Sequence, residues 1–338
     1  MSVSAGNHKE KPRRAPLGLL AAAGLIAGAA ATIRMANRRL DALETLDPQT
    51  AAPDGRFVTV DGVTLHYLDS GTVPSGEPPV LLIHGFLSST SSWRHTVPAL
   101  AAHTRVLALD LPPFGFSARV TEPVYSMRWW ADLVAGFLTA LEIPCAVIIG
   151  NSMGGAVAVQ TAISHPARVA GLVVVDGAVE GTDRRPPPWL ARGLLGGPVG
   201  RAFLYFTLEN PRFERRMADL AWADPSRFTE TERAAYRAPA RVRDTARALL
   251  ALTASARDDD LATGVSGITA PTLIVWGAQD RMIPAAVGER LQAGIPGSRL
   301  EVLPDCGHAP QEECPVEFQA LLSAFLAGIA ARAPVPAA

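Results

Sequence analysis

Apolar positions along the chain follow two rhythms. Short continuous runs, Val80-Leu81-Leu82-Ile83, Val106-Leu107-Ala108-Leu109, Val147-Ile148-Ile149, Leu172-Val173-Val174-Val175 and Leu273-Ile274-Val275, have the length and branched side chains of strands buried on both faces. Between most of them apolar residues recur at helical spacing, over 93–102, 127–141 and 153–164. Upstream, Phe57 to Val60 and Val63 to Leu68 alternate around Asp61-Gly62, a pair suited to a tight hairpin turn with positive φ. Leu300-Glu301-Val302-Leu303 reads as a further strand, making eight strand segments. Buried strands alternating with helices predict a mostly parallel, doubly wound sheet, with reactive side chains on the loops beyond the strands' C-terminal ends.

From Asp176 to Thr272 the strand rhythm stops while helical spacing continues, which predicts a helical cap at 179–263 inserted into an α/β core at 57–178 and 264–332. Its clusters Trp189-Leu190, Leu194-Leu195 and Phe203-Leu204-Tyr205-Phe206 would fasten cap to core or line an apolar cavity, fastening being the simpler role. Asp258-Asp259-Asp260 reads as a solvated charge run rather than a metal site. Ahead of the core lie a basic segment at 1–14 (Lys9, Lys11, Arg13, Arg14) and 19 uncharged residues at 15–33. As a helix that stretch would reach about 28 Å, enough for a transmembrane anchor, and Ala29-Ala30-Ala31 equally resembles a signal cleavage site. Arg34, Arg38 and Arg39 follow it, so flanking charge leaves the orientation nearly tied. A helical stem at 34–56, amphipathic over 35–46 and broken by Pro48 and Pro53, completes the lead-in. The expectation is a membrane-anchored or exported protein with its folded body outside the cytoplasm.

Composition narrows the partners. An apolar content of 48% supports a large core, and 31 basic against 32 acidic residues leave no basic field to attract nucleic acid. Three cysteines, Cys145, Cys306 and Cys314, are too few for a disulfide framework; Cys145 reads as a small core residue. Cys306 and Cys314 read as two partly buried thiols, which only an oxidising compartment would bridge.

The chemistry lies in Gly150-Asn151-Ser152-Met153-Gly154-Gly155, a Gly-x-Ser-x-Gly sequence between a buried strand and a helix. There a serine sits on a sharp turn that larger side chains would obstruct, at a helix N-terminus suited to developing negative charge. A serine hydroxyl needs a base, and the base needs an anion to fix its tautomer. His308, in Asp305-Cys306-Gly307-His308 after a strand, supplies the first, whereas His66, His84, His95, His103 and His165 fit strands, turns or surface helices. Asp280, directly after the strand through Val275, supplies the second; Asp176 competes, but the order Ser152, Asp280, His308 and the loop context favour Asp280. Two backbone N–H groups must receive the oxyanion, and Met153 and Phe86, in Ile83-His84-Gly85-Phe86-Leu87, are placed for it, with His84 bracing that loop. This chemistry requires neither cofactor nor metal.

Through His84-Gly85-Phe86, Asp110-Leu111-Pro112-Pro113-Phe114-Gly115-Phe116-Ser117, the serine turn, Gly277-Ala278-Gln279-Asp280 and Gly307-His308, the chain resembles the α/β-hydrolase superfamily over about 57–330. The resemblance implies that fold and a serine hydrolase, and Ser152 excludes relatives that need aspartate there, the haloalkane dehalogenases and epoxide hydrolases. The Gly-Asn-Ser-Met-Gly-Gly run is similar to that of C–C bond hydrolases of aromatic ring-fission products. Those enzymes usually carry tryptophan after the histidine, whereas Ala309-Pro310-Gln311-Glu312-Glu313 here is more similar to esterases and cofactor-free perhydrolases. A membrane-proximal, capped serine hydrolase also resembles monoacylglycerol lipases, which implies a small, lipophilic carboxylic ester as substrate. A ligand-binding receptor on a hydrolase scaffold is the reading from a different functional class.

Overall fold

The computed structural model describes residues 17–71, 77–122, 125–180, 197–255, 261 and 264–331, with side chains described from residue 25. Eight strands, β1 (Arg56–Val60), β2 (Val63–Asp69), β3 (Val80–Ile83), β4 (Val106–Leu109), β5 (Ala146–Asn151), β6 (Val169–Val175), β7 (Thr272–Gly277) and β8 (Arg299–Leu303), form one sheet in the order β1-β2-β4-β3-β5-β6-β7-β8. Only β1 with β2 and β2 with β4 run antiparallel. The β1–β2 hairpin closes through Asp61 (φ 48°) and Gly62 (φ 80°), the positive-φ pair expected there. Because side chains alternate across a strand, Leu81 and Ile83 enter one core layer while Val80 and Leu82 enter the other.

In chain order the helices are α1 (Leu17–Leu43), α2 (Pro48–Ala51), α3 (Thr96–Ala101), α4 (Met127–Ala140), α5 (Met153–Ser164), α6 (Gly197–Leu208), α7 (Pro211–Ala221), α8 (Glu230–Arg237), α9 (Thr245–Ser255), α10 (Ala286–Gly294), α11 (Pro310–Glu313) and α12 (Pro315–Ala330). Helix α4 starts where the Ser126 hydroxyl accepts the Trp129 N–H, and it buries Trp130, Leu133, Val134 and Phe137 at helical spacing beside the sheet. The helix expected over 93–102 is instead a 3₁₀ turn, Thr90–Trp93, followed by α3, because the Ser89 hydroxyl caps the turn at Ser91. Helices α6 to α9 fill the interval between β6 and β7; Trp189-Leu190, Leu194-Leu195 and Asp258-Asp259-Asp260 lie outside the described residues. Phe203 and Phe206 are exposed, whereas Leu204 packs on the core.

The lead-in departs from a free stem. Helix α1 runs unbroken to Leu43 and packs along α6 with Ala36 and Leu40 buried, and Asn37 Nδ2 donates to Pro198 O at 2.9 Å. Beyond it Leu46 N donates to Arg241 O (2.9 Å), Arg243 N to Leu46 O (3.2 Å) and Ala246 N to Glu44 Oε1 (2.6 Å). The stem therefore docks on the cap. Pro48 starts α2 rather than ending a helix, since its missing N–H costs nothing in the first turn and Asp47 Oδ1 accepts from Gln49 N and Thr50 N. Residues 1–16, including the start of the expected span, lie outside the described residues. Among the described residues no helix is long and apolar enough to cross a membrane; where its side chains are described, α1 carries Arg34, Arg38, Arg39 and Asp41.

Candidate active site

Ser152 occupies the one-residue corner between β5 and α5 with φ 53° and ψ −118°, a backbone conformation rare for a side-chain-bearing residue. Its N–H donates to Val175 O at 2.9 Å and its carbonyl accepts from Ala156 and Ala178, which pins the corner to β6. Two glycines make the corner possible. A Cβ at Gly150 would sit 2.1 Å from Gly154 O, and one at Gly154 would sit 2.3 Å from Ile83 O and 2.5 Å from His84 O. Helix α5 thus lies hard against the end of β3, where the next loop begins.

That loop is braced by His84, whose Nε2 accepts the Leu111 N–H at 3.0 Å and whose Nδ1–H therefore donates to Gly85 O at 2.7 Å. Burial holds the His84 imidazole below its usual pKa, in keeping with a neutral ring. Leu87 follows at φ 56°, and Phe86 is exposed with its ring edge-on to Phe114 at 5.2 Å. Met153, buried, opens α5 directly after Ser152. Asp110 anchors the neighbouring turn by accepting from Thr90 N (2.6 Å), Phe116 N (2.8 Å) and His66 Nδ1 (2.6 Å).

His308 and Asp280 arrive from the loops after β8 and β7. The His308 Nδ1–H donates to Asp280 Oδ2 at 2.7 Å, while Asp280 Oδ1 accepts from Met282 N (2.7 Å) and Ile283 N (2.9 Å). With Nδ1 as donor, Nε2 keeps its lone pair. The His308 backbone is held on both sides: its N–H donates to Ala221 O of the cap at 2.6 Å, and its carbonyl accepts from Asn151 Nδ2 at 3.0 Å. Asp176, fully buried after β6, has φ 46° and accepts the Gly277 N–H at 2.9 Å through Oδ1; it makes no bond to the His308 ring.

Cys306 and Cys314 are disulfide-bonded across the loop that carries His308, in place of the two thiols expected. Leu303 ends β8 and α11 turns the chain back, so the two Cα atoms come within 6.1 Å, a separation that spacing in sequence did not reveal. Cys145 is half-buried rather than a core residue. Glu313 braces the same loop, accepting from Gly307 N at 3.1 Å and Ala223 N at 2.7 Å, and burial pushes its carboxyl up to about 7. Next to it the buried Glu312 takes the Tyr236 O–H at 2.6 Å and an Arg94 N–H, tying α11 to the cap helix α8.

Ser152, His308 and Phe86 open into one cavity of about 290 Å³, roofed by cap residues including Leu208, Phe213, Met217 and Trp222. Its wall also contains Arg119, which sequence reading passed over because nothing in Ser117-Ala118-Arg119 marks it. Every N–H of its guanidinium is engaged: Nε with Thr245 Oγ1 (2.8 Å), Nη1 with Phe114 O (3.3 Å) and Ser117 O (2.6 Å), Nη2 with Gly115 O and Pro239 O (both 2.8 Å). Burial lowers its pKa to about 10, with Asp110 and Glu44 opposing, so it remains a cation at neutral pH.

Known proteins share this arrangement's frame. A family model described as the alpha/beta hydrolase fold matches residues 78–315. A 2-hydroxy-6-oxononadienedioate/2-hydroxy-6-oxononatrienedioate hydrolase of Cupriavidus pinatubonensis is 33% identical over 82% of this chain and 96% of its own. Among solved structures, a thermophilic esterase from Thermogutta terrifontis superposes with TM-score 0.67 at 26% identity, covering 81% of this chain and 98% of its own. A bacterial membrane phospholipase A superposes at 0.65 with 28% identity over 93% of this chain and 99% of its own. With the eight-stranded sheet, the serine corner and the histidine loop already in place, these matches identify the chain as a hydrolase belonging to the alpha/beta hydrolase family.

Proposed function

We propose that this hydrolase cleaves lipophilic carboxylic esters through an acyl-enzyme on Ser152. His308 Nε2 takes the serine proton and returns it to the departing alcohol, and Asp280 holds the ring through Nδ1–H. The N–H groups of Phe86 and Met153 receive the charge that forms on the carbonyl oxygen, helped by the N-terminus of α5. Water then attacks the acyl group by the same base in reverse.

The observation that carries ester over C–C cleavage is the state of the cavity's cations. A dienedioate of the kind named for the Cupriavidus relative carries two carboxylates, which need paired charges when buried. Arg119 is saturated by the protein. Arg233 donates to Phe228 O (3.3 Å), stacks over the Phe228 ring at 5.5 Å and lies 3.8 Å from Glu214; Arg237 pairs with Glu214 and Glu230. Each arginine among the described lining residues is thus already engaged, and a neutral ester suits the apolar remainder. The second reading, C–C hydrolysis of a ring-fission dienone, draws on the 33% identity to that relative over nearly its whole length.

A fluorophosphonate probe should label wild type and not Ser152→Ala. A panel of p-nitrophenyl esters should show Ser152-dependent turnover. Turnover of a ring-fission dienedioate with none of any ester would select the second reading, and no Ser152-dependent turnover or labelling would sink both. We also read the N-terminal helix as attaching the protein to a membrane with its body outside the cytoplasm. The exposed Leu25 and Ile26 on α1 and a disulfide beside His308, a bond that persists in oxidising compartments, support that reading. Protease protection after fractionation should leave the body accessible from outside; an inward body would refute it.

A further inference from the structure

Asp176 has no part in the chemistry above, yet it sits at its base. β6 and β7 are adjacent parallel strands, with Val175 paired to Val275, so the residues just beyond them share one buried space. One oxygen of Asp176, one of Asp280 and a ring nitrogen of His308 all lie within 4.8 Å of one another. Asp176 is wholly buried and held at φ 46°, a conformation that carries strain outside glycine. Its Oδ1 is used by the Gly277 N–H, and its buried Oδ2 faces no donor. Two carboxylates side by side in a dry space repel; the same two groups sharing one proton attract.

We propose that Asp176 is a positioning residue: a neutral carboxylic acid that donates its proton as a hydrogen bond to the Asp280 carboxylate, completing a chain from Asp176 through Asp280 to His308. This rests on Asp280 being the partner of His308. Burial, and then the charge of Asp280, push the Asp176 carboxyl well above the usual carboxylate range, while the Gly277 N–H acts the other way. Glu313, from the histidine loop, also raises Asp176, and the His308 ring faces it within the same 4.8 Å cluster. The consequence is a single negative charge behind the base. Asp280 is held by four donors instead of three, and the imidazolium formed during turnover meets one charge rather than two.

Isotope-edited infrared spectroscopy on protein labelled with carboxyl-¹³C aspartate reads this without turnover, and glutamates such as Glu312 do not interfere. A protonated aspartyl C=O band should persist at neutral pH in wild type and vanish in Asp176→Asn. No protonated aspartyl band at neutral pH would overturn the proposal, whether or not any variant folds and whether or not any ester is cleaved. In kinetics, Asp176→Ala should lower kcat on the order of tenfold at constant KM, the worth of one hydrogen bond to a charged group. Asp176→Asn, a neutral donor of the same shape that tolerates positive φ, should recover most of that loss and leave the acidic limb of the pH profile in place. An acidic limb displaced by about one pH unit in Asp176→Asn would mean that a charge was removed, and would also overturn the proposal.

Discussion

Replacing Arg119 by methionine tests whether the buried guanidinium is a structural clamp or a receiver of substrate. Its five N–H groups join the Phe114–Ser117 turn to Pro239 and Thr245 of the cap. Methionine fills a similar volume but strands two carbonyl oxygens, those of Gly115 and Ser117, and weakens the Thr245 hydroxyl contact, while Phe114 O keeps the Ser117 N–H and Pro239 O keeps the Val242 N–H. At roughly 1–3 kcal/mol for each buried acceptor left dry, two would cost up to about 6 kcal/mol. Water reaching one of them through the cavity, and the relief of no longer burying a cation, offset part of this, leaving an expected net loss of about 2–3 kcal/mol. In urea the unfolding midpoint should fall by about 1 M or more. Lysine keeps the charge but offers three donors from one atom, so Arg119→Lys should recover only a minority of the loss. An Arg119→Met variant within about 0.5 kcal/mol of wild type, with a defect confined to acidic substrates, would refute the clamp and reopen the reading of a carboxylate-bearing substrate.

Three further outcomes follow from the same geometry. Gly154→Ala puts a methyl 2.3 Å from Ile83 O and 2.5 Å from His84 O, so the β3 end carrying the Phe86 N–H must retreat; kcat in an ester assay should fall on the order of a hundredfold with far-ultraviolet dichroism unchanged. Glu313, raised to about 7 in the fold from about 4.3 unfolded, binds more protons folded than unfolded between those values. Its contribution to stability is therefore full below about pH 4 and is lost as pH rises through about 7, and Glu313→Gln should flatten that slope in urea midpoints taken across pH. Cys314→Ser opens a loop of sequence separation 8, worth up to about 2.5 kcal/mol by chain entropy, and the loss should show in the same urea titration as reductant treatment of wild type.

The central strands β3 to β7 were legible because each carries a run of apolar, largely branched residues, and in a parallel sheet burial on both faces leaves little room for polar interruption, while the β1–β2 hairpin showed as alternation around Asp61-Gly62. Ser152 was legible for a harder reason. A Cβ two positions to either side of it would strike backbone, so the two glycines are a steric imprint of the corner itself. The pairing of Asp280 with His308 was legible because each follows a strand end, which fixes where the loop begins. What could not be read were contacts joining residues far apart in sequence: Arg119 with Pro239, Glu44 with Ala246, Glu313 with Ala223. Each is a polar side chain meeting a backbone group, and a backbone group leaves no mark in the sequence.

This division locates where substrate choice is decided. The groups proposed to react stand on strand ends that the core fixes, but the loop bearing His308 is also held by the cap, through Ala221 O to its N–H and Ala223 N to Glu313. A cap segment that moved as a whole would carry the base with it and break its alignment with Asp280. The segment from Ala221 to Ala223 must then stay seated during turnover, and differences between substrates fall to the cavity wall formed by Leu208, Phe213 and Met217. Mutations at Leu208 or Phe213 should therefore change KM and acyl-length preference, whereas changes at Ala221 or Trp222 should act on kcat. A cap that set only affinity, with kcat untouched by substitution at either place, would break that link between roof and base.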